Sequence, residues 1–186
     1  MKHPSIKLPI QKLLILLLII TSMNDSYAQT GDLYTTLSKS DFNIKNTRSS
    51  LDLLSYNLNR STKTKKQKAR NLQANAQQVA NRSHTAYLQA KQIVNKLKAD
   101  KNYKLADKVE QLKGDLYNLN YAANALVKYC QWMINKPKTH GVRTFKSMVS
   151  AFNTIIEHKN ASSKNKKILL DVVSWEAYKN MKRSEE

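Results

Sequence analysis

The chain has few of the residues that interrupt helices. It contains three glycines and three prolines in 186 residues, and neither residue type occurs between Gly31 and Gly114. Sheets built from β-hairpins need a turn signal such as Gly, Pro or Asn-Gly about every 8 to 12 residues. So long an interval without one excludes a β-rich fold, and the sequence predicts an all-α protein.

Cysteine is almost absent, because Cys130 is the sole thiol. An internal disulfide framework is therefore excluded, and stability must come from helix packing. Cys130 lies within a regular apolar pattern, which is typical of a buried and unreactive thiol. An intermolecular disulfide is the alternative.

Catalytic signatures are also missing. The sequence has no nucleophile elbow, P-loop or dinucleotide-binding glycine motif, and none of His84, His140 and His158 stands three or four residues from another histidine or the cysteine. These histidines are interpreted as surface residues. Glu157, Asp171 and Glu176 are expected to pair with lysines rather than to form an acid/base site. The sequence predicts no enzymatic activity, no metal site and no cofactor.

The longest apolar run is too short for a permanent membrane anchor, which needs about 20 helical residues. It covers residues 13–20, follows three lysines at positions 2, 7 and 12, and precedes the small residues Ser26 and Ala28. This order is typical of a secretory signal peptide in residues 1–28. We expect cleavage after Ala28, a mature chain that begins at Gln29, and export to the periplasm or the extracellular space.

Residues 29–186 then form one helical-bundle domain, and apolar spacing places its central hairpin. Two seams in which apolar or small residues recur at alternating intervals of three and four predict helices over residues 68–99 and 103–135. A short link with Asp100 or Asn102 as helix cap folds them into a long, coiled-coil-like antiparallel hairpin. The seam positions are Ala69, Leu72, Ala76, Val79, Ser83, Ala86, Ala90, Ile93 and Leu97, and then Leu105, Val109, Leu112, Leu116, Leu119, Ala123, Leu126, Cys130 and Met133.

The flanking segments predict further helices. Residues 31–99 form either one helix or two, and the weak helix formers between Asn57 and Thr64 favour a turn there. Pro137 ends the hairpin. A shorter helix follows around residues 145–156, a polar loop covers residues 160–166, and a last helix spans residues 168–181, with a strand at residues 168–173 as the alternative. The predicted fold is an elongated antiparallel bundle of four or five helices.

Positive charge is the strongest functional signal. The formal charge is +19, and it falls only to +17 when residues 1–28 are removed. This excess is larger than solubility requires, so we expect a basic surface that binds an anionic partner; a merely solvated face is the alternative. The candidate residues are Lys63, Lys65, Lys66, Lys68, Arg70, Lys164, Lys166 and Lys167. A further basic set comprises Lys136, Lys138, Arg143 and Lys146, which surround Pro137.

Two tyrosines one turn apart, Tyr117 and Tyr121, lie off the main seam. They fit a stacking platform for bases or sugars, but packing against a second helix of a bundle is the favoured interpretation.

These observations predict a non-catalytic, exported interaction or scaffold protein. Its expected partners are an anionic envelope component (glycolipid, lipid headgroups or acidic polysaccharide) or an acidic protein; nucleic acid is a further candidate, and helix packing could also give a homo-oligomer. In fold and export alone, it resembles the small helical periplasmic subunits of bacterial secretion and conjugation machines. The alternative is a secreted cationic effector or toxin that binds membranes or nucleic acid.

Overall fold

A computed structural model describes residues 10–138, 141–165 and 167–185, and the side chains of residues 29–138, 141–165 and 167–182. The described chain forms five helices in an antiparallel bundle, so the predicted fold class is confirmed. The helices are α1 (Ile10–Tyr56), α2 (Thr62–Ala99), α3 (Tyr103–Asn135), α4 (Val142–Asn165) and α5 (Lys167–Glu185).

The hairpin of α2 and α3 is the centre of the bundle. The predicted seams are buried, and Leu72, Val109 and Leu126 are each 0% exposed. Asn102, one of the two predicted caps, accepts a hydrogen bond from the backbone N–H of Leu105 at 3.3 Å. Its own N–H donates to Leu97 O at 2.9 Å, which requires the intervening Lys101 to take the left-handed φ of 58°. The link is therefore a tight helix-terminating turn.

The predicted break between the first two helices is confirmed. α1 ends at Tyr56, and Ser61 caps α2 by accepting a hydrogen bond from Thr64 N–H at 3.3 Å. The Asn57 side chain donates to Leu53 O at 2.7 Å. Polar side chains that bond the local backbone compete with helix continuation, as the sequence indicated.

The predicted loop over residues 160–166 is wrong for residues 160–165, which continue α4, and the strand alternative is wrong because α5 contains residues 168–173. Contacts with α3 explain the error. The Asn165 amide donates to Asp115 Oδ2 at 3.2 Å. Buried Ser162 donates to His158 O at 2.8 Å. A tertiary hydrogen bond to α3 and a side-chain hydrogen bond within α4 thus hold a polar segment in a helix.

Successive helices pack side by side, α1 on α2, α2 on α3 and α3 on α4, while α4 and α5 close against α1. Two clusters form the core, one around Leu72, Leu126 and Phe152 and the other around Leu97 and Leu112. A polar contact lies between them, where the Asn120 amide donates to Ala80 O at 2.7 Å and to Ser83 Oγ at 3.4 Å. α4 and α5 together therefore act as the fourth element of the bundle.

The predicted signal peptide, residues 1–28, lies outside the residues whose side chains are described, so its cleavage and the boundary at residue 29 stay predictions. Within the described part of the chain, no helix combines the length and apolar character needed to cross a membrane.

Candidate anion-binding surfaces

Acidic residues are distributed very unevenly along the bundle. Residues 53–99 contain ten lysines and arginines and residues 116–156 contain five, and neither range contains Asp or Glu. α2 therefore carries no carboxylate over its whole length. Most carboxylates that could neutralise lysines lie instead toward the α2–α3 turn or midway along the bundle, and Asp52, one turn before the end of α1, is the exception near the start of α2. The opposite end of the bundle keeps a net positive charge.

Two of the basic groups seen in the sequence, residues 63–70 and the set around Pro137, lie together at that end. Ala69 of α2 and Met133 of α3 belong to one core cluster with Met148 of α4, so the start of α2 and the α3–α4 connection lie at the same end of the bundle. We call this region the basic end. It comprises Arg60, Lys63, Lys65, Lys66, Lys68, Arg70, Lys136, Lys138, Arg143 and Lys146.

Some of the positive charges at the basic end lie beside the positive ends of helix dipoles and are repelled by them. Lys63 and Lys65 lie in the first turn of α2 and Arg143 in the first turn of α4, and neither turn contains an acidic residue. A helix N-terminus carries a partial positive charge, so cations there cost a few tenths of a kcal/mol each. An anion bound at this end would relieve both repulsions.

Helix geometry divides the predicted cluster of residues 63–70 between faces. Lys63, Lys66 and Arg70 follow i, i+3, i+7 spacing and share one side of α2. Gln73, the next position on that side, donates to Gln131 of α3 at 2.7 Å. Lys65 is half-buried in line with Leu72, and Lys68 is half-buried in line with Asn75, whose amide donates to Ser50 Oγ of α1 at 2.8 Å. The α2–α3 side thus presents three of the five predicted residues.

The other predicted group lies elsewhere. Lys164 and Lys167 are exposed at the α4–α5 junction, and Lys166 is outside the described residues. The junction lies beside Asp115, whereas the basic end lies beside Met133, about 27 Å farther along α3 at 1.5 Å per residue. The candidate residues that the structure describes therefore do not form one surface.

Glu176 and Asp171, two of the carboxylates expected to pair with lysines, do form such pairs. Glu176 Oε1 lies 3.0 Å from Lys96 Nζ, and Asp171 Oδ2 lies 3.4 Å from Lys108 Nζ.

His158 is not the simple surface residue predicted, because it is half-buried with Nδ1 at 3.4 Å from Asp115 Oδ1. His84 is exposed as predicted, and His140 lies outside the described residues.

Cys130 is 0% exposed, as its apolar pattern indicated. Burial raises the pKa of its thiol to about 12, partly offset by a backbone hydrogen bond. In the part of the chain that the structure describes, no group of three His, Cys, Asp or Glu residues could hold a metal ion.

The tyrosines are more exposed than the packing interpretation predicted. Tyr117 is 57% exposed and Tyr121 is 71% exposed, although the Tyr117 ring lies 5.9 Å from that of Tyr87. Tyr121 and Tyr129 flank an open cleft of about 230 Å³ between α3 and α4, which is otherwise lined by Ala, Ser and Thr residues. This cleft has no charged lining residue.

A second cleft, of about 390 Å³, lies between α1 and α4 and is cationic. Sequence reasoning missed it because its charges come from two helices far apart in the chain. The one local signal is the i, i+4, i+7 spacing of its α1 residues, which places them on one face. The lining residues are Asp41, Ile44, Lys45, Arg48, Ile156, Lys159 and Asn160.

Comparison of the chain with protein-family models, with curated proteins and with solved structures found no match.

Proposed function

We propose that this chain is an exported, non-catalytic scaffold or interaction protein that attaches through its basic end to an anionic component of the cell envelope or to a larger assembly. The observation that carries the proposal is that the ten lysines and arginines of the basic end come from two ranges, residues 53–99 and 116–156, that contain no carboxylate. Export is supported by the predicted signal peptide in residues 1–28.

Electrostatics favours a polyanionic partner over a single small ion. Lys63, Lys66 and Arg70 span about 10 Å of one side of α2, and the bases of the α3–α4 connection extend the positive region. Charges spaced in this way act together on a surface that carries repeated phosphates or carboxylates. Phosphorylated glycolipid, anionic lipid headgroups and acidic polysaccharide have that chemistry, and export makes them the preferred partners.

A matched pair of variants tests the proposal. The basic-end variant combines Lys63→Gln, Lys66→Gln and Arg70→Gln, and the control variant combines Lys39→Gln, Arg82→Gln and Lys91→Gln, which are exposed positions elsewhere. Both lose three charges. Binding of the mature chain is measured on lipopolysaccharide, on vesicles of phosphatidylcholine with phosphatidylglycerol, and on DNA.

We expect the wild type and the control to bind one of the envelope polyanions, and this binding to fall steeply between about 50 and 200 mM salt because phosphate contacts release counterions. The basic-end variant should bind at least tenfold more weakly with unchanged helicity. Equal losses in the two variants would mean that net charge alone matters and would contradict the proposal. Preference for DNA, with release of the protein into the medium, would support the effector alternative.

A further inference from the structure

The cleft between α1 and α4 lies on the side of the bundle opposite the α2–α3 face, since the four elements pack in chain order around the core. We propose that it binds an amphipathic phosphate monoester, with Lys45, Arg48 and Lys159 around the phosphate and with Ile44 and Ile156 beneath the apolar part. This site is separate from the basic end.

Charge is the first argument. Three cationic side chains and one carboxylate, Asp41, line the cleft, which gives its lining a formal charge of +2. A phosphate monoester carries about −1.5 to −2 at neutral pH. The guanidinium of Arg48 supplies a planar pair of donors that fits two phosphate oxygens, while the lysines act as mobile point charges.

Placement of the side chains is the second argument. Asp41, Lys45 and Arg48 occupy one face of α1 over about 10 Å, and Lys159 faces them from α4. Lys45 and Arg48 are exposed, whereas Lys159 and Asp41 are half-buried. The two helices thus present cations from both sides of the opening.

The apolar residues at the bottom of the cleft explain why the ligand should be amphipathic. Ile44 is 3% exposed and belongs to the core, and Ile156 packs against the same cluster. An adjoining void that shares Asp41, Ile44 and Lys159 with the cleft measures only about 10 Å³, which is too small for a ligand to extend into it. A short apolar segment can therefore lie on the isoleucines without entering the core.

The test uses hexyl phosphate, inorganic phosphate and hexanol as probes in calorimetric titrations of the mature chain. We expect hexyl phosphate to bind at least about tenfold more tightly than inorganic phosphate, because a contact equal to about two fully buried methylenes gives that factor. Hexanol should bind more weakly than hexyl phosphate. Hexyl phosphate that binds no better than inorganic phosphate would overturn the proposal.

Variants then locate the site. The cleft variant combines Lys45→Gln, Arg48→Gln and Lys159→Gln, and Arg48→Gln alone serves as a milder change at an exposed position. Both should weaken hexyl phosphate binding, the triple variant by at least tenfold. The control variant and the basic-end variant, each with the same loss of three charges, should bind it like wild type. Equal weakening in the control would overturn the proposal, whereas failure of the basic-end experiment would leave it intact.

Vesicles distinguish the source of the phosphate. Phosphatidic acid presents a monoester headgroup, and phosphatidylglycerol presents a diester. Binding to phosphatidic acid vesicles that the cleft variant loses would identify a membrane lipid as the source. Binding of free hexyl phosphate without attachment to those vesicles would identify a soluble ligand. Both results support a site for a phosphate monoester. The proposal is contradicted if hexyl phosphate does not bind and if wild type and the cleft variant attach equally to both kinds of vesicle.

Discussion

Lys96 Nζ lies 3.0 Å from Glu176 Oε1, and this ion pair joins the end of α2 to α5. Glu176 is only 6% exposed, and its second oxygen, Oε2, is buried without a hydrogen bond from any described residue. The carboxylate therefore depends on Lys96. The contact connects residues 80 positions apart in the sequence and helps to fix α5 against the central hairpin.

Lys96→Met should lower the free energy of unfolding by about 1 to 3 kcal/mol, because it leaves a buried carboxylate without its cation. Lys91→Met, at an exposed position on the same helix, is the control and should change it by less than about 0.5 kcal/mol. Urea denaturation followed by circular dichroism measures both. Equal stability of the two variants would show that the ion pair contributes nothing.

Leu116→Asp should cost about 3 to 5 kcal/mol, because Leu116 is 1% exposed in the α3 seam and an aspartate there would be charged without a partner. Asn118→Asp places the same side chain two residues away at an exposed position. It should unfold close to the wild-type midpoint. Matching melting curves for the two variants would mean that the seam is not buried.

Lys101→Gly should stabilise the protein by about 0.5 to 1 kcal/mol. Lys101 holds φ at 58°, a conformation that costs a side chain with a Cβ about 1 kcal/mol and costs glycine little. Lys91→Gly, in the interior of α2, should instead destabilise by about 1 kcal/mol. Thermal unfolding should therefore shift in opposite directions for the two substitutions, and a lower midpoint for Lys101→Gly would contradict the turn geometry.

Cys130 should resist alkylation in the folded protein. With the pKa raised to about 12, only about one thiol in ten thousand is ionised at pH 8, and the side chain is also shielded from reagent. Treatment with iodoacetamide at pH 8 should label the chain rapidly in urea and slowly without it. Rapid labelling of the folded protein, or a disulfide-linked dimer, would contradict burial of the thiol.

Export with cleavage after Ala28 predicts that the mature protein begins at Gln29. Mass spectrometry of material recovered from the periplasm or medium of a bacterial host should find this residue at the N-terminus, cyclised to pyroglutamate. Membrane-bound protein that keeps Met1 would indicate an uncleaved anchor instead.

The α2–α3 hairpin could be predicted because its seams are almost entirely apolar and local capping residues mark the turn. The buried side of α1 was harder to recognise. Ser40 and Thr47 are 5% and 0% exposed. Their burial could not be predicted from the spacing of apolar residues, because both side chains are polar. Thr47 is accommodated by donating to Asn43 O at 2.8 Å, a bond that only the formed helix provides.

The errors at the C-terminal end and in the candidate site have a common cause. Residues 160–165 are helical through contacts with Asp115, about 50 positions earlier in the sequence. The cationic cleft likewise needs Lys45 and Lys159 to face each other across α1 and α4. Such pairings depend on how the helices are arranged around the core, and local spacing carries no information about that arrangement.

Basic residues lie at both ends of the bundle, but those near the Asp100 turn have carboxylates beside them, and this difference affects how the molecule would meet a negatively charged surface. Because most carboxylates lie toward the Asp100 turn or midway along the bundle, such a surface would attract the start of α2 first. A protein held there would stand upright. The 38 residues of α2 would then raise the Asp100 turn about 55 Å above the surface, where α5 and the cationic cleft on the side of the bundle stay accessible to other molecules.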